Sequence, residues 1–487
     1  MNKRSLVGLA LANSVRSIIP IILLILAGQA FHANAQTLTI LYYFSGPPTD
    51  GFNPNLLVQG SDGNFYGTTR LGGTNDYGTV FRISPSGSET NLHSFGGSLD
   101  GREPYAGLIQ ASDGNFYGTT AEGGSGGIGT IFRISPSGTY TMLYSLVSLP
   151  DTFVGEAPCS ALVQASDGNF YGTTFSGGAH GMGTVFRLTP SGTYTDLYSL
   201  SGNPNSPGLG PQPALVQGGD GNLYGSTPAG GTTNMGTVFR ISPSGTYTSL
   251  YSFGASSTDG TRPTGLVRGS NGKFYGTTGT GGTYGEGTVF WISPDGSYSN
   301  LYSFGSTPLD GWSPEAVLVQ GSDGSFYGTT AGGGANFAGS AFRVSPSGTE
   351  TVLCSFASLP CDAYPSLIPG LVQGSDGSFY GTTWAGGPGI DCANAYGTGS
   401  VFTITVPLNP PANQISAVQV AGNDLAISVP SVVGETYQLQ FTTDLTSGIW
   451  SNVPGVSVTN SIGALLTLTN FGGAAGPQGF YRFAITP

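Results

Sequence analysis

The chain is dominated by a motif that recurs seven times, and this repeat constrains the fold more than any other feature. Each copy centres on the sequence Asn-Phe-Tyr-Gly-Thr-Thr or a close variant. The central tyrosines follow one another at intervals of 51 to 54 residues, at Tyr66, Tyr117, Tyr171, Tyr224, Tyr275, Tyr327 and Tyr380. A regular period of this length indicates that similar supersecondary units pack against one another in an array or a ring.

Each repeat has the pattern of four short strands joined by tight turns. In the second repeat the strands are predicted at residues 107–110, 115–120, 129–134 and 139–144. Ser112-Asp113-Gly114 and the Ser-Pro-Ser-Gly sequence at 135–138 supply the backbone angles that hairpin turns need. Four antiparallel strands in about 50 residues are typical of one blade of a β-propeller.

The two ends of the repeat region predict how the ring closes. The last repeat stops after its third strand, at residues 401–404, and has no fourth strand. Residues 37–44 match the fourth-strand pattern of the second repeat. Pairing these two segments would leave no open sheet edge. We therefore predict an all-β chain whose main body is a seven-bladed β-propeller closed by an N-terminal strand.

Residues 1–35 have the pattern of a secretory signal peptide. Lys3, Arg4 and Arg16 accompany an apolar stretch at residues 18–27, and Ala33-Asn34-Ala35 provides a small-residue cleavage site. The apolar stretch is shorter than the roughly 20 residues that span a bilayer. We expect cleavage after Ala35, no membrane span, and a secreted or cell-surface protein.

Two further segments follow the predicted propeller, which covers residues 36–406. The Pro-rich stretch at 407–413 indicates a linker. Residues 414–487 alternate apolar and polar side chains in short runs, which predicts a small β-sandwich with Trp450 and Tyr481 in its core.

The charge balance argues against nucleic acid as a ligand. Without residues 1–35 the chain has 11 basic and 26 acidic side chains, a net charge of −15, and Lys273 is its only lysine. Binding to a phosphate backbone needs clusters of Lys and Arg. No Cys/His spacing indicates zinc, and no glycine-rich loop carries the lysine of a phosphate site, so we expect no metal and no cofactor. We expect a monomer.

Two charged positions recur across the repeats. Aspartate occupies the first turn, at Asp62, Asp113, Asp167, Asp220, Asp323 and Asp376. Arginine occupies the third strand, at Arg82, Arg133, Arg187, Arg240 and Arg343. The fifth repeat replaces both, with Asn271 and Trp291, and the seventh places Thr403 at the arginine position. We predict that an Asp–Arg pair pins the hairpins within a blade.

The motif Asp62-Gly63-Asn64-Phe65-Tyr66-Gly67-Thr68-Thr69, followed by paired glycines and Gly78-Thr79-Val80-Phe81-Arg82-Ile83, resembles the GloVer tandem repeat family of exported bacterial proteins. The resemblance covers residues 37–406. It implies export and a variable C-terminal sorting or anchoring module, and it brings no catalytic residues. Residues 437–450 are more loosely similar to the C-terminal Ig-like modules of exported proteins.

The blades are also distantly similar to streptogramin lyases and to the sensor propellers of two-component regulators. Lyase chemistry would require a histidine base with acidic or metal-binding partners. After residue 35 the only histidines are His93 and His180. We assign His93 to packing in a fourth strand and His180 to a solvated loop, and we do not carry the lyase activity over.

The sequence favours binding over catalysis. The second-to-third loops and the connections between blades emerge on one face of a propeller, and these segments differ most between the repeats. Candidate ligand-binding residues there are Phe52, Arg70, Arg102, His180, Arg262, Tyr284, Trp312, Phe337 and Trp384. Their aromatic rings suit a glycan or a protein ligand, so we expect a binding or structural module of the cell envelope or extracellular space.

The alternative is a hydrolase or lyase that acts on carbohydrate or a small molecule at the central funnel. It would need converging carboxylates or a His–Glu pair. The acidic residues on the same face are Glu103, Glu122, Glu286 and Asp391. No catalytic residue is assigned.

The four cysteines of an exported chain permit disulfides. Cys361 and Cys392 both belong to the seventh repeat, so a bridge between them is our first prediction, with Cys354–Cys361 as the competitor. Cys159 and Cys354 belong to distant blades and are expected to be too far apart to bridge.

Overall fold

The computed structural model describes residues 9–11, 37–96, 100–147, 154–201, 214–307, 309–356, 370–384, 398–405, 417–421, 424–430, 436–442, 451–458, 465–470 and 479–486. Within these ranges every regular element is a β-strand. The chain folds into two compact units, one of them Gln36–Val406 and the other Met1–Ala35 with Pro407–Pro487.

The first unit is a ring of seven antiparallel blades, whose four strands we call A to D in the order in which they pair. Strands A to D of blade 1 are Val58–Gln59, Phe65–Gly72, Thr79–Ile83 and Glu89–Ser94. Those of blade 2 are Ile109–Gln110, Phe116–Thr120, Thr130–Ile134 and Tyr140–Ser145. Those of blade 3 are Val163–Gln164, Phe170–Thr173, Thr184–Leu188 and Tyr194–Ser199. Strands A to D of blade 4 are Val216–Gln217, Leu223–Thr227, Thr237–Ile241 and Tyr247–Ser252. Those of blade 5 are Gly260–Arg268, Phe274–Gly281, Thr288–Ile292 and Tyr298–Ser303. Those of blade 6 are Val319–Gln320, Phe326–Thr330, Ser340–Val344 and Glu350–Ser355. The predicted seven-bladed propeller is confirmed.

Blade 7 closes the ring with strands from both ends of the repeat region. Its strands A to C are Leu371–Gln373, Phe379–Thr383 and Ser400–Thr405, and its strand D is Thr37–Tyr43. Thr37 lies opposite Thr405 and Tyr43 opposite Ser400 in an antiparallel ladder. The predicted N-terminal closing strand is therefore present.

A ring of aromatic contacts joins the blades. The strand B tyrosine of one blade packs on the phenylalanine that begins strand B of the next, with centroids 3.8 to 4.2 Å apart, in Tyr66–Phe116, Tyr117–Phe170, Tyr224–Phe274, Tyr275–Phe326, Tyr327–Phe379 and Tyr380–Phe65. Between blades 3 and 4, Leu223 takes the place of phenylalanine. The Tyr380–Phe65 contact links blade 7 to blade 1, so the core is continuous around the ring.

A second ring, made of hydrogen bonds, runs along the A–B turns. A serine backbone N–H donates to a strand A glutamine Oε1 of the next blade over 2.8 to 2.9 Å, at Ser61–Gln110, Ser112–Gln164, Ser166–Gln217, Ser270–Gln320, Ser322–Gln373 and Ser375–Gln59. The step from blade 4 to blade 5 has Gly219 and Arg268 instead, so both partners change together. We call these contacts the Ser–Gln latch.

The glycine of the Tyr-Gly-Thr motif is required by packing. A Cβ atom on Gly118 would lie 2.6 Å from the ring of Phe132 on strand C and 2.7 Å from Leu108 on the segment before strand A. Protein interiors are packed too closely to absorb such an overlap. The same contact with a strand C phenylalanine recurs at Gly67 and Gly276.

The predicted Asp–Arg pair forms in blade 6 and is wrong for blades 1 to 4. Arg343 donates to Asp323 Oδ2 from Nε and Nη2 over 3.0 and 2.7 Å. In blade 2, by contrast, Asp113 Oδ2 accepts hydrogen bonds from Asn115 Nδ2 and the Tyr117 hydroxyl, at 2.9 and 2.8 Å. Blades 1, 3 and 4 repeat that arrangement, and no Asp–Arg ion pair joins these positions in the described residues of the four blades.

The residue two positions after the aspartate explains the difference. It is asparagine in blades 1 to 4, and the asparagine amide uses the lone pair that arginine would need. In blade 6 it is Ser325, which leaves Oδ2 open to Arg343. Blade 5 replaces the charge pair with a cation–π contact, in which Lys273 Nζ lies 3.3 Å from the centroid of Trp291.

The second unit contains strands in two sheets. One sheet has the order Leu9–Leu11, Gly479–Thr486, Thr436–Thr442 and Ser451–Val458, and the other has Ala417–Ala421, Asp424–Pro430 and Leu465–Asn470. Trp450 lies outside the described residues, and Tyr481 lies on Gly479–Thr486. The β-sandwich and its Ig-like character stay predictions.

The described residues contain no helix with the length and apolar character needed to cross a membrane.

Candidate functional site

The described B–C loops and connections from strand D to the next strand A lie on one face of the propeller, because successive strands of a blade are antiparallel. We call this the loop face. In most blades the connection forms a short ladder with the segment that follows strand B, as in Gly101–Arg102 with Glu122–Gly123 and Gly311–Trp312 with Gly332–Gly333. The loop face is therefore built from paired backbone.

Facing side chains in these ladders differ in chemistry from blade to blade. Arg102 forms an ion pair with Glu122 at 2.8 Å, whereas Thr261 and Thr280 share a hydrogen bond of 2.7 Å between their hydroxyls. Phe52 lies opposite Leu71. Of the predicted binding residues in these ladders, Arg102 thus has a side-chain partner within the scaffold.

In five described connections the residue before the proline has a left-handed backbone. The described examples have φ between 50° and 59° and are Asn53, Glu103, Ala157, Arg262 and Ser313. Glu103 shows the reason: its N–H donates to Tyr77 O of the preceding blade, and its C=O accepts from Ala121 N of its own blade. The scaffold therefore accounts for the strain at this position, which need not signal a site.

Arg70 is held in a cluster at the boundary of blades 1 and 2. Its guanidinium donates to Glu103 Oε2 over 3.1 and 3.2 Å and lies 4.3 Å from the ring centroid of Tyr105, whose hydroxyl donates to the same oxygen. Burial raises the pKa of the nearby Cys159 thiol to about 12, although Arg70 opposes the shift. That thiol is protonated at neutral pH and is a poor nucleophile.

The remaining predicted residues divide into exposed and engaged groups. Tyr284, His180, Arg262 and Phe337 are exposed. Trp312 lies beside Phe337, with ring centroids 6.1 Å apart. The backbone carbonyl of Trp384 accepts a hydrogen bond of 2.7 Å from Asn53 Nδ2.

Exposed large apolar side chains concentrate on the loop face. Of the seven in the described residues, only Met142 lies elsewhere, on strand D of blade 2. The other six are Phe175, Met182, Met235, Tyr284, Leu309 and Phe337. They come from the described loops of blades 3 to 6, so side chains of this class are enriched on the loop face.

Two of the four acidic residues considered for catalysis are engaged by arginine. Glu103 and Glu122 are each occupied by an arginine, Glu286 is exposed, and Asp391 lies outside the described residues. His93 stacks on Tyr140 with centroids 4.1 Å apart and bonds Asp100 at 2.9 Å, in agreement with its assignment to packing. The described residues contain no group of three or more His, Cys, Asp or Glu side chains arranged to hold a metal ion.

The cysteine predictions are only partly accessible to the structure. Cys361 and Cys392 lie outside the described residues, so their bridge stays a prediction. Cys159 and Cys354 are free thiols.

Sequence analysis missed a set of aspartates that join neighbouring blades at their outer strands. Asp259 accepts from the Tyr251 hydroxyl of blade 4 and the Tyr298 hydroxyl of blade 5, both at 2.9 Å. Equivalent aspartates are Asp50, Asp100 and Asp310. The signal was an Asp-Gly pair seven or eight residues after the Tyr or His of strand D. We call each such unit an aspartate clasp.

Two clasps carry a second carboxyl group in place of the incoming tyrosine. Glu89 and Glu350 begin strand D of blades 1 and 6 in the register that Tyr298 has in blade 5. Burial, together with the carboxylates of Asp50 and Asp310 respectively, raises the pKa of each glutamate to about 7. Asp310 Oδ1 and Glu350 Oε1 are buried, and no hydrogen bond from the described residues reaches either atom.

Comparison with solved structures finds propellers with low sequence identity. The extracellular domain of a hybrid two-component system from B. thetaiotaomicron is 12% identical, with a TM-score of 0.49, over 93% of this chain and 58% of that one. PorZ, a surface component of the type-IX secretion system of Porphyromonas gingivalis, is 14% identical, with a TM-score of 0.46, over 87% of this chain and 56% of that one. This chain thus spans a little more than half of either protein.

A protein described as a 6-phosphogluconolactonase from Bacteroides uniformis is 14% identical, with a TM-score of 0.43, over 85% of this chain and 99% of that one. These similarities assign neither an activity nor a ligand. No curated protein matches the chain significantly.

The repeats themselves match a family model. The Gloeobacter/Verrucomicrobia repeat matches three overlapping stretches, residues 27–207, 146–307 and 210–431. Together they cover most of the chain and confirm the resemblance inferred from the tyrosine motif. The chain belongs to the Gloeobacter/Verrucomicrobia repeat family.

Proposed function

We propose that this chain is an exported binding module and that the loop face is its ligand-binding surface. The observation that carries the proposal is the position of the exposed apolar side chains, six of which lie on that face. Exposed aromatic and apolar groups of this kind anchor ligands, because their contact with a partner removes them from water.

The contrast with the rest of the propeller supports this assignment. The aromatic contacts, the Ser–Gln latch and the aspartate clasps repeat around the ring and use their polar groups on each other. The loop face varies between blades on this repeated scaffold. Variable loops on a rigid scaffold are the usual location of binding residues.

Export is supported by the signal-like residues 1–35, and the resemblance to the GloVer repeat family implies it as well. The predicted β-sandwich at 414–487 would be a second module, and a sorting, anchoring or binding role for it is part of the proposal. The ligand is expected to be a glycan or a protein, because the charge balance does not suit a polyanion.

A screen of the purified full chain on a glycan and protein array tests the proposal. A resurfaced variant with Phe175→Ser, Tyr284→Ser and Phe337→Asn should lose the binding signal. The control Met142→Ser replaces the one exposed large apolar side chain of the described residues that lies outside the loop face, and it should keep the signal. Equal binding by the resurfaced chain would contradict the placement of the site. A chain that binds nothing on either array would contradict the function.

A further inference from the structure

One turn recurs in the B–C loop of six blades and requires a left-handed residue. The residues at this position have φ between 58° and 86° and are Asp76, Gly127, Gly181, Asn234, Gly285 and Phe337. Each donates its backbone N–H to the glycine carbonyl three residues earlier. The turn is therefore the same in blades 1 to 6, and only the side chain differs.

Five of the six residues suit the left-handed conformation. Blades 2, 3 and 5 use glycine, which has no Cβ to clash. Asp76 and Asn234 accept hydrogen bonds from the N–H of Gly72 and Gly230 over 2.8 and 2.9 Å, so their side chains stabilise the turn. Phe337 has neither advantage, and a bulky residue with positive φ is a genuine outlier.

Phe337 is also the most exposed large apolar side chain in the described residues, at 69%. Burial in the core therefore does not explain why blade 6 keeps a strained phenylalanine. Backbone strain that no burial or hydrogen bond compensates is typical of a functional position.

Trp312 lies beside Phe337, and its side chain has room only because the residue that faces it in the same blade is glycine. The ring centroids are 6.1 Å apart and the planes are tilted by 41°. A Cβ atom on Gly332, which faces Trp312 in the ladder, would clash with the indole Nε1 at 2.0 Å. Other blades have larger residues at the Gly332 position, among them Leu71, Glu122 and Thr280. Blade 6 thus combines a tryptophan, the glycine that admits it and the strained phenylalanine.

The described groups around this aromatic pair are polar, and the charged ones are mainly acidic, since Glu286 and Glu315 are both exposed. Ser313, next to Trp312, donates its N–H to Glu286 O of the blade 5 loop over 2.9 Å, which brings the exposed Tyr284 and Glu286 to the same side of the boundary. Asn336 adjoins Phe337. The only cation in the described loop-face segments of blades 5 and 6 is Arg262.

We propose that Trp312 and Phe337 form a stacking platform for a neutral carbohydrate. Aromatic rings bind the C–H face of a sugar, while nearby carboxylate, amide and backbone groups bind its hydroxyls. A site with one cation and an exposed carboxylate disfavours an acidic ligand. This inference rests on the proposed function, since it names the ligand class for part of the loop face.

The first arm of the test needs no ligand. Phe337→Asn should raise Tm by about 1–2 °C, because asparagine tolerates the left-handed turn and offers an acceptor as Asn234 does. A lower Tm in Phe337→Asn would overturn the proposal, since it would show that the phenylalanine is a packing residue. Met142→Ala is the control for loss of an exposed apolar side chain.

The second arm titrates the full chain with soluble β-glucan, xylan, galactomannan and dextran by calorimetry, with polygalacturonate and heparin as polyanions. At least one neutral polysaccharide should bind, and Trp312→Ala and Phe337→Asn should each weaken it at least tenfold, with Met142→Ala unchanged. Equal binding by all variants would overturn the location. Binding of only a polyanion, only an array protein, or nothing in this panel would overturn the carbohydrate class. The array result separately decides whether the chain is a binding module at all.

Discussion

At the scale of single residues, the aspartate clasps show how one substitution changes the chemistry of a blade boundary. Tyr298 donates to Asp259, but in blade 6 the same position holds Glu350 next to Asp310. A tyrosine hydroxyl brings its own proton at any physiological pH, whereas a glutamate does so only when protonated. We therefore expect two of the boundaries between blades to be sensitive to pH.

We predict that the chain is more stable in mild acid than in mild base. The folded-state pKa of Glu89 and Glu350 is raised to about 7, so their stabilising contribution is present below the unfolded pKa and is lost as pH rises through 7. Replacing Glu350 with Gln should remove part of this slope, about 1–2 kcal/mol between about pH 5 and about pH 8 after discounting for partial exposure. Urea unfolding across that range measures it, with Glu122→Gln as the control. If the free energy of unfolding of Glu350→Gln falls with pH as steeply as that of the parent chain, the pair of Glu350 and Asp310 is not the source of the pH dependence.

At the scale of the hairpin, the hydrogen bonds that aspartate Oδ2 already accepts determine whether the strand C arginine also donates to it. Asp113 Oδ2 already accepts two hydrogen bonds, from Asn115 and Tyr117. Although burial opposes the charge, these hydrogen bonds hold the pKa of Asp113 below its ordinary value. The charge of Arg133 contributes to the same lowering, whereas Arg343 donates hydrogen bonds directly to the aspartate of blade 6.

The corresponding prediction compares two arginines at the same register. Arg343→Met should lower the free energy of unfolding by about 1 kcal/mol, and Arg133→Met should change it by less than about 0.5 kcal/mol. In an Asn115→Ser background Arg133→Met should become as costly as Arg343→Met, because the amide no longer occupies Oδ2. Denaturant melts of this double-mutant cycle give the coupling. A zero coupling energy would mean that Asn115 does not control the pair.

The sequence predicted the blades well because their signals are local. The Asp-Gly turns and the alternating strands each lie within a few residues, and the missing fourth strand of blade 7 could be matched to residues 37–44. The Ser–Gln latch was not predicted, since its partners lie about one repeat apart and neither residue is unusual alone. The joint loss at Gly219 and Arg268 was its one visible signal.

The candidate site was predicted less completely for a related reason. Tyr284 and Phe337 were found from loop variability and Phe175 was missed, and the sequence could not show that Arg102 is paired with Glu122 or that Phe337 is strained. Both facts depend on backbone geometry and on a neighbouring segment.

At the scale of the propeller, one seam between the two ends of the repeat region closes the ring. The ladder between Thr37–Tyr43 and Ser400–Thr405, the Phe65–Tyr380 contact and the Ser375–Gln59 hydrogen bond together complete blade 7 and join it to blade 1. Without this seam the array would have two open sheet edges, which favour aggregation.

The most direct test of this account is a cross-link across the seam. Thr39 and Thr403 are direct partners in the closing ladder, at a separation that suits a disulfide. The Thr39→Cys/Thr403→Cys variant should give an intramolecular 39–403 bridge in a monomer, identified by non-reducing peptide mapping. The Thr39→Cys/Arg133→Cys control, with its second thiol in blade 2, should not. A 39–403 link found only between two molecules, or no link under oxidising conditions, would contradict the closed seven-bladed ring.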